Sequence, residues 1–245
     1  MEIIFGIIIV TIAGFVQGLT SFGFAMLSVP FLVNIFPLSV TVPIVVILSL
    51  STNIIVIINC IKKVNIKKIW LLILSGVIFI PLGVHSLTIL NPDYLKIFFG
   101  IIVITFTVLL ILNKSFPIKN EKLGYTIAGS MSGFLNGSLS LSGPPVILFL
   151  SNQGIDKESF RANLSFYFIV LNSITTATYW ANGLLTEVIF GKLLYFIPAA
   201  LLGVFIGIKL CKKLDEVLFR KVVLILLIIS GLLTMINAIR NLIHF

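Results

Sequence analysis

Two stretches of this chain carry groups with chemistry to offer. GFVQGLTS at 14–21 and GFLNGSLS at 133–140 share the pattern G-F-x-[Q/N]-G-x-x-S. Each sets an amide, Gln17 or Asn136, four residues before a hydroxyl, Ser21 or Ser140, a spacing that places both on one face of a helix. Helix-interrupting residues follow at once: SFGFAMLSVP in the first stretch and SLSGPPVILF in the second. An interrupted helix exposes backbone N–H groups and about half a positive charge at each new amino terminus, which suits an anion. Side-chain hydroxyls and amides complete such a cage without any ionised group. The candidate substrate-binding residues are therefore Gln17, Ser21, Gly23, Asn136, Ser140, Ser142, Gly143 and Pro144, with Asn53 and Asn172 as donors from a later helix in each half.

Each feature has a plainer reading beside the chemical one. The spacings Gly14 to Gly18 and Gly133 to Gly137 also suit close helix packing, and a buried Asn also serves as glue between helices. Arg161 either gathers anions at the cytoplasmic mouth or snorkels to the headgroups. His85 is either a proton-coupling group, since an ordinary imidazole titrates near pH 6.5, or an interface residue.

Other chemistries lack their residues. Asp93, Asp156 and Glu187 lie in connections between apolar runs, and without a carboxylate inside those runs a cation held by side-chain charge is disfavoured. No His, Cys or carboxylate cluster suggests a metal, and Cys60 and Cys211 have no paired spacing. A membrane-embedded hydrolase needs a nucleophile backed by a base, and the only histidines are His85 and His244. No cofactor or catalytic residue is expected. A carrier for neutral metabolites stays open on the residues alone.

The elements that must position these groups follow from composition. Of 245 residues 59% are apolar and 10% charged, which excludes a soluble enzyme, a nucleic-acid-binding module and a disordered chain. Long runs that are apolar on all sides predict an all-α polytopic membrane protein rather than a β-barrel. The runs fall near 3–20, 24–36, 39–61, 69–90 and 95–113, then 123–138, 144–153, 160–182, 190–210 and 219–239. Residues 3–20 are read as a retained helix, because no basic residue precedes them as in a signal peptide. The second run of each set is too short to cross unaided. It either spans at a tilt or forms half of a re-entrant pair, leaving three full spans per half.

The net charge of +9 reads as a topology signal, since basic residues stay on the cytoplasmic side. Placing Lys62, Lys63, Lys67 and Lys68 inside also puts Lys114, Lys119, Lys122, Lys157, Arg161, Lys209, Lys212, Lys213, Arg220 and Lys221 inside. Only Lys96, Lys192 and Arg240 fall outside, and so does the amino terminus. The two halves then face opposite ways.

An offset of 119 residues superposes Gly14 on Gly133, Gln17 on Asn136, Ser21 on Ser140 and Asn53 on Asn172. The prediction is two inverted-topology repeats, 1–118 and 119–245, each with one short or broken helix pair. Secondary transporters use such repeats, with discontinuous helices meeting at a midplane site.

The paired GFVQGLTSFGFAMLSVPFL and SGFLNGSLSLSGPPVILFLSNQG, followed by ESFRANLSFYFIVLN, resemble the TauE/SafE family of sulfite exporters and related anion permeases. GVIFIPLGVHSLTILNPDYLKIFFGIIVI and YFIPAALLGVFIGIKLCKKLDEVLFRKVVLILL are similar to that family's later helices in each half. The resemblance covers almost the whole chain. It implies a permease of the cytoplasmic membrane for sulfite, thiosulfate, sulfonates or related organic acids. Where the family commonly has consecutive glycines, this chain has Ser21-Phe22-Gly23-Phe24.

Overall fold

Apolar runs bounded by Pro, Gly and charge become helices throughout. The computed structural model describes residues 1–58, 60–112, 120–210 and 216–243. Among them are ten helices and no strand: α1 (Glu2–Thr20), α2 (Phe24–Leu32), α3 (Leu38–Ile58), α4 (Ile66–Ile89), α5 (Pro92–Leu112), α6 (Glu121–Leu139), α7 (Gly143–Ser151), α8 (Lys157–Ala181), α9 (Glu187–Leu210) and α10 (Glu216–Ile243). Lys114, Lys119, Cys211, Lys212, Lys213 and His244 lie outside the described residues.

Side-chain caps fix several helix starts. Asn65 Oδ1 accepts from Lys68 N–H at the head of α4 and Asn120 Oδ1 from Leu123 N–H at the head of α6. Asp156 caps α8 through the N–H groups of Ser159 and Glu158. The Ser159 bond is the main reason its carboxyl is held below the usual carboxylate range.

Five helices, α1, α3, α4, α5 and α9, are long and apolar enough to cross a membrane, so the chain is a multi-pass membrane protein. The outer surface is apolar: Leu74, Ile78 and Leu82, one turn apart on α4, are exposed, while Ser75, Gly76 and Gly83 on its other face are buried. That distribution reverses the soluble rule and matches lipid outside and a polar centre inside.

The short second runs are shorter still than the sequence indicates. α2 stops at Leu32 and α7 at Ser151, nine residues each, or ~13 Å at 1.5 Å per residue. The bounds of α1 and α2, moved by 119 residues, coincide with those of α6 and α7. Packing partners exchange the same way: α1 lies on α9 and α6 on α4, α2 meets α10 and α7 meets α5, and α3 and α8 pack together.

The glycines of the shared pattern make the first two of these contacts. A Cβ at Gly14 would strike the Ala200 carbonyl oxygen, and one at Gly133 the Gly76 carbonyl oxygen. Gly207 approaches Phe15 O in the same manner. Close packing is thus what Gly14, Gly18, Gly133 and Gly137 do, as small residues do at membrane helix crossings.

Candidate functional site

Each broken pair is built from one turn of unusual backbone. Ser21 and Ser140 end α1 and α6 in the left-handed region, with φ of 68° and 57°. Their N–H groups return to Gln17 O at 2.7 Å and Asn136 O at 3.0 Å, the bond of an αL C-cap. Non-glycine residues rarely hold that conformation, and where they do it marks strain kept for a purpose. Gly23, at φ 95°, then turns the chain into α2, which only glycine does without steric cost.

The breaks meet at a cavity of about 20 Å³ lined by Gln17, Gly23, Ser140, Ser142 and Gly143, with Phe22, Phe24, Ala25, Met26, Ser49, Leu141 and Phe168. That volume admits about one water.

Gln17 organises the first half. Its Nε2 donates to Asn53 Oδ1 at 3.0 Å and to Ser21 O at 3.3 Å, and its Oε1 accepts from Phe24 N–H at 3.2 Å. The amide therefore caps α2 and ties the break to α3. Leu27 N–H returns to Gly23 O, so Ala25 and Met26 supply the first-turn N–H groups of α2 that helix geometry leaves for a ligand. In the second half Asn136 Nδ2 donates to Thr175 Oγ1 at 2.8 Å, and Ser132 Oγ to Ser142 O at 2.6 Å.

Several buried polar atoms here have no protein partner: Ser21 Oγ, Ser140 Oγ, Asn136 Oδ1 and Asn172 Oδ1. Groups left so are costly in a dry interior and call for a water or a ligand as partner. No Asp, Glu, Lys or Arg lines the cavity.

Of the residues predicted from sequence, Gln17, Gly23, Ser140, Ser142 and Gly143 line the cavity. Asn53 and Asn172 stand behind it, both donating to Ser49 Oγ, at 3.3 and 3.2 Å. Ser21 and Asn136 are buried in the breaks themselves. Pro144 is placed elsewhere: with Pro145 it lines an apolar groove of about 980 Å³ between α5, α6 and α7. The two prolines occupy the second and third positions of α7, where a missing N–H leaves no bond unmade. They start a helix and lie outside the lining of the small cavity.

Arg161 is half-buried, and its Nη2 donates to Gly18 O at 3.1 Å. His85 sits on the exposed face of α4 and is not brought to the cavity. Sequence reasoning missed Ser49, Thr175, Ser132 and Tyr179, whose hydroxyl donates to Gly137 O at 2.7 Å. Ser49 precedes Asn53 by one turn and Thr175 follows Asn172 by nearly one, the spacing that could have linked them.

Helices broken in pairs around a small cavity that no charged side chain lines belong here to a multi-pass membrane protein. The description Sulfite exporter TauE/SafE matches residues 6–234. The chain belongs to that family, whose members are transporters. No curated protein and no solved structure matches it.

Proposed function

We propose that the chain is a secondary carrier for a small oxyanion, sulfite, thiosulfate, a sulfonate or a related organic acid, across the cytoplasmic membrane. It works by alternating access between two inverted repeats, 1–118 and 119–245. The carrying observation is the pair of matched breaks, each with a left-handed serine whose buried hydroxyl has no partner. Around one cavity these supply O–H and N–H donors and no competing carboxylate. A negative solute gains from every one of them.

The direction of the two repeats rests on the loops. The KKVNIKK segment meets the start of α8, where Asn65 N–H donates to Asn163 Oδ1 at 2.8 Å and Lys63 lies 3.9 Å from Glu158. Basic charge assigns both segments to the cytoplasm, and they are neighbours. At the other end Lys192 lies 4.1 Å from the Phe36 ring centroid and Asn241 bonds Asp93. These are the segments assigned outside. Gly6, near the start of α1, abuts Phe196 and Phe196 stacks beside Phe36, which favours an external amino terminus.

Binding an anion of several heavy atoms requires the small cavity to widen, so α2 and α7 must move against α3 and α8. The test is a substrate panel in proteoliposomes. Flux of labelled sulfite that excess thiosulfate or sulfonate blocks supports the reading. Indifference to every such anion defeats it.

A further inference from the structure

The carbonyls of Gly18 and Gly137 occupy equivalent positions at the offset of 119 residues, and both breaks leave them in the same predicament. Continuing helices would bond them to the N–H groups of Phe22 and Leu141. Phe22 N–H turns instead to Thr20 Oγ1, and Leu141 N–H to Leu135 O. Each stranded carbonyl is met by a side chain from α8: Arg161 at 3.1 Å for Gly18, Tyr179 at 2.7 Å for Gly137. The equivalent places in the first half are Val42 on α3, which has no polar group, and Cys60 just beyond its end, whose thiol donates weakly to Val56 O at 3.6 Å. α8 therefore meets both stranded carbonyls, from positions ~27 Å apart along its axis at 1.5 Å per residue.

We infer that Arg161 and Tyr179 are latches closing the central site toward opposite sides of the membrane, and that they differ in what releases them. This rests on the anion reading of the site. The Gly18 carbonyl lies at the carboxyl end of α1, where the helix dipole favours a cation and the bond is charge-assisted. An oxyanion arriving at the Lys157 end of α8 competes directly for that guanidinium, whose planar fork fits oxyanions in pairs of bonds. Arrival of substrate thus loosens the contact that blocks it. The phenol of Tyr179 is neutral and fully buried, so an approaching anion does not compete for it. It opens only when α6 and α8 move. Both are positioning residues, acting through the two carbonyls.

The experiment places one cysteine at the cavity, Ser142→Cys, in a background of Cys60→Ala and Cys211→Ala. A membrane-impermeant, sulfonate-bearing thiosulfonate reagent is then added to intact cells or to inverted vesicles. Arg161→Gln should raise labelling at least tenfold from the Lys157 side and leave the opposite side unchanged. Tyr179→Phe should raise it from the Trp180 side alone, and Arg161→Lys should fall between native and Arg161→Gln. A defect that is merely structural would not be sided. Equal changes on both sides, or none in monodisperse protein, overturn the latches. If Arg161→Gln does not assemble, Arg161→Lys and Tyr179→Phe decide the question between them. Protection of the cysteine by an alkyl sulfonate, which does not react with the reagent, is read separately: sided labelling without protection keeps the latches and defeats the anion reading, whereas protection without sidedness does the reverse.

Discussion

Gln17 Nε2 donates to Asn53 Oδ1 at 3.0 Å while its Oε1 caps Phe24 N–H. One amide thereby joins the end of α1, the start of α2 and the middle of α3. Gln17→Leu removes these two bonds and the one to Ser21 O, and strands the Phe24 N–H. Hydrogen bonds between membrane helices are worth on average ~0.6 kcal/mol, so the variant should insert and remain folded. Transport should fall at least tenfold, because the first-half break loses its cap. Flux and thermal melting measured on the same preparation check both parts; melting lost together with flux would assign Gln17 to stability alone.

Gly143 lines the cavity, and a Cβ there would come within 3.1 Å of Ile147 Cδ1. That neighbour is the flexible end of a side chain and yields easily. Gly143→Val should accordingly leave the fold intact and fill the space a substrate needs, abolishing transport. Normal transport by the purified variant would remove Gly143 from the site.

Gly133 behaves in the opposite way. Any Cβ there meets the Gly76 backbone carbonyl, which cannot move without parting α4 from α6. Gly133→Ala should destabilise by about 1–3 kcal/mol, the ordinary range for overpacking. Gly191→Ala, with nothing within 4 Å, is the control and should melt like the native protein. Equal melting of the two variants would contradict the close crossing.

The orientation is tested at Lys67, which is exposed, whereas Asn65 is engaged as the cap of α4. Lys67→Cys in a background lacking Cys60 and Cys211 should be shielded from impermeant thiol reagents in intact cells and labelled in inverted vesicles. The reverse pattern would invert the topology.

Much of this architecture was legible because lipid imposes simple rules. Long apolar runs had to become helices, and G-F-x-[Q/N]-G-x-x-S followed by breakers had to end them, so interruptions near Ser21 and Ser140 were legible: the runs read to 20 and 138 end at Thr20 and Leu139. The partners of the polar groups were not. Ser49 and Thr175 look like lone hydroxyls, which in membrane helices commonly bond their own backbone, as Thr11 and Ser51 do here. Pro144 does stand at an interruption, as a proline beside hydroxyls suggests, but at the second position of α7 it begins a helix and faces the apolar groove. The partners of Arg161, a residue the sequence did single out, and of Tyr179 were beyond sequence reasoning for another reason. Their acceptors are main-chain carbonyls 143 and 42 residues away, and a carbonyl has no residue type to read.

The account turns on hydrogen-bond donors that hold negative charge beside Asn136. Equilibrium binding of labelled sulfite to purified native protein, Asn136→Ala and Asn136→Asp decides it. A carboxylate at that buried place repels an anion where a methyl merely omits a contact, so Asn136→Asp should bind far more weakly than Asn136→Ala. Equal binding by the two variants, or tighter binding by Asn136→Asp, would contradict an anion site there.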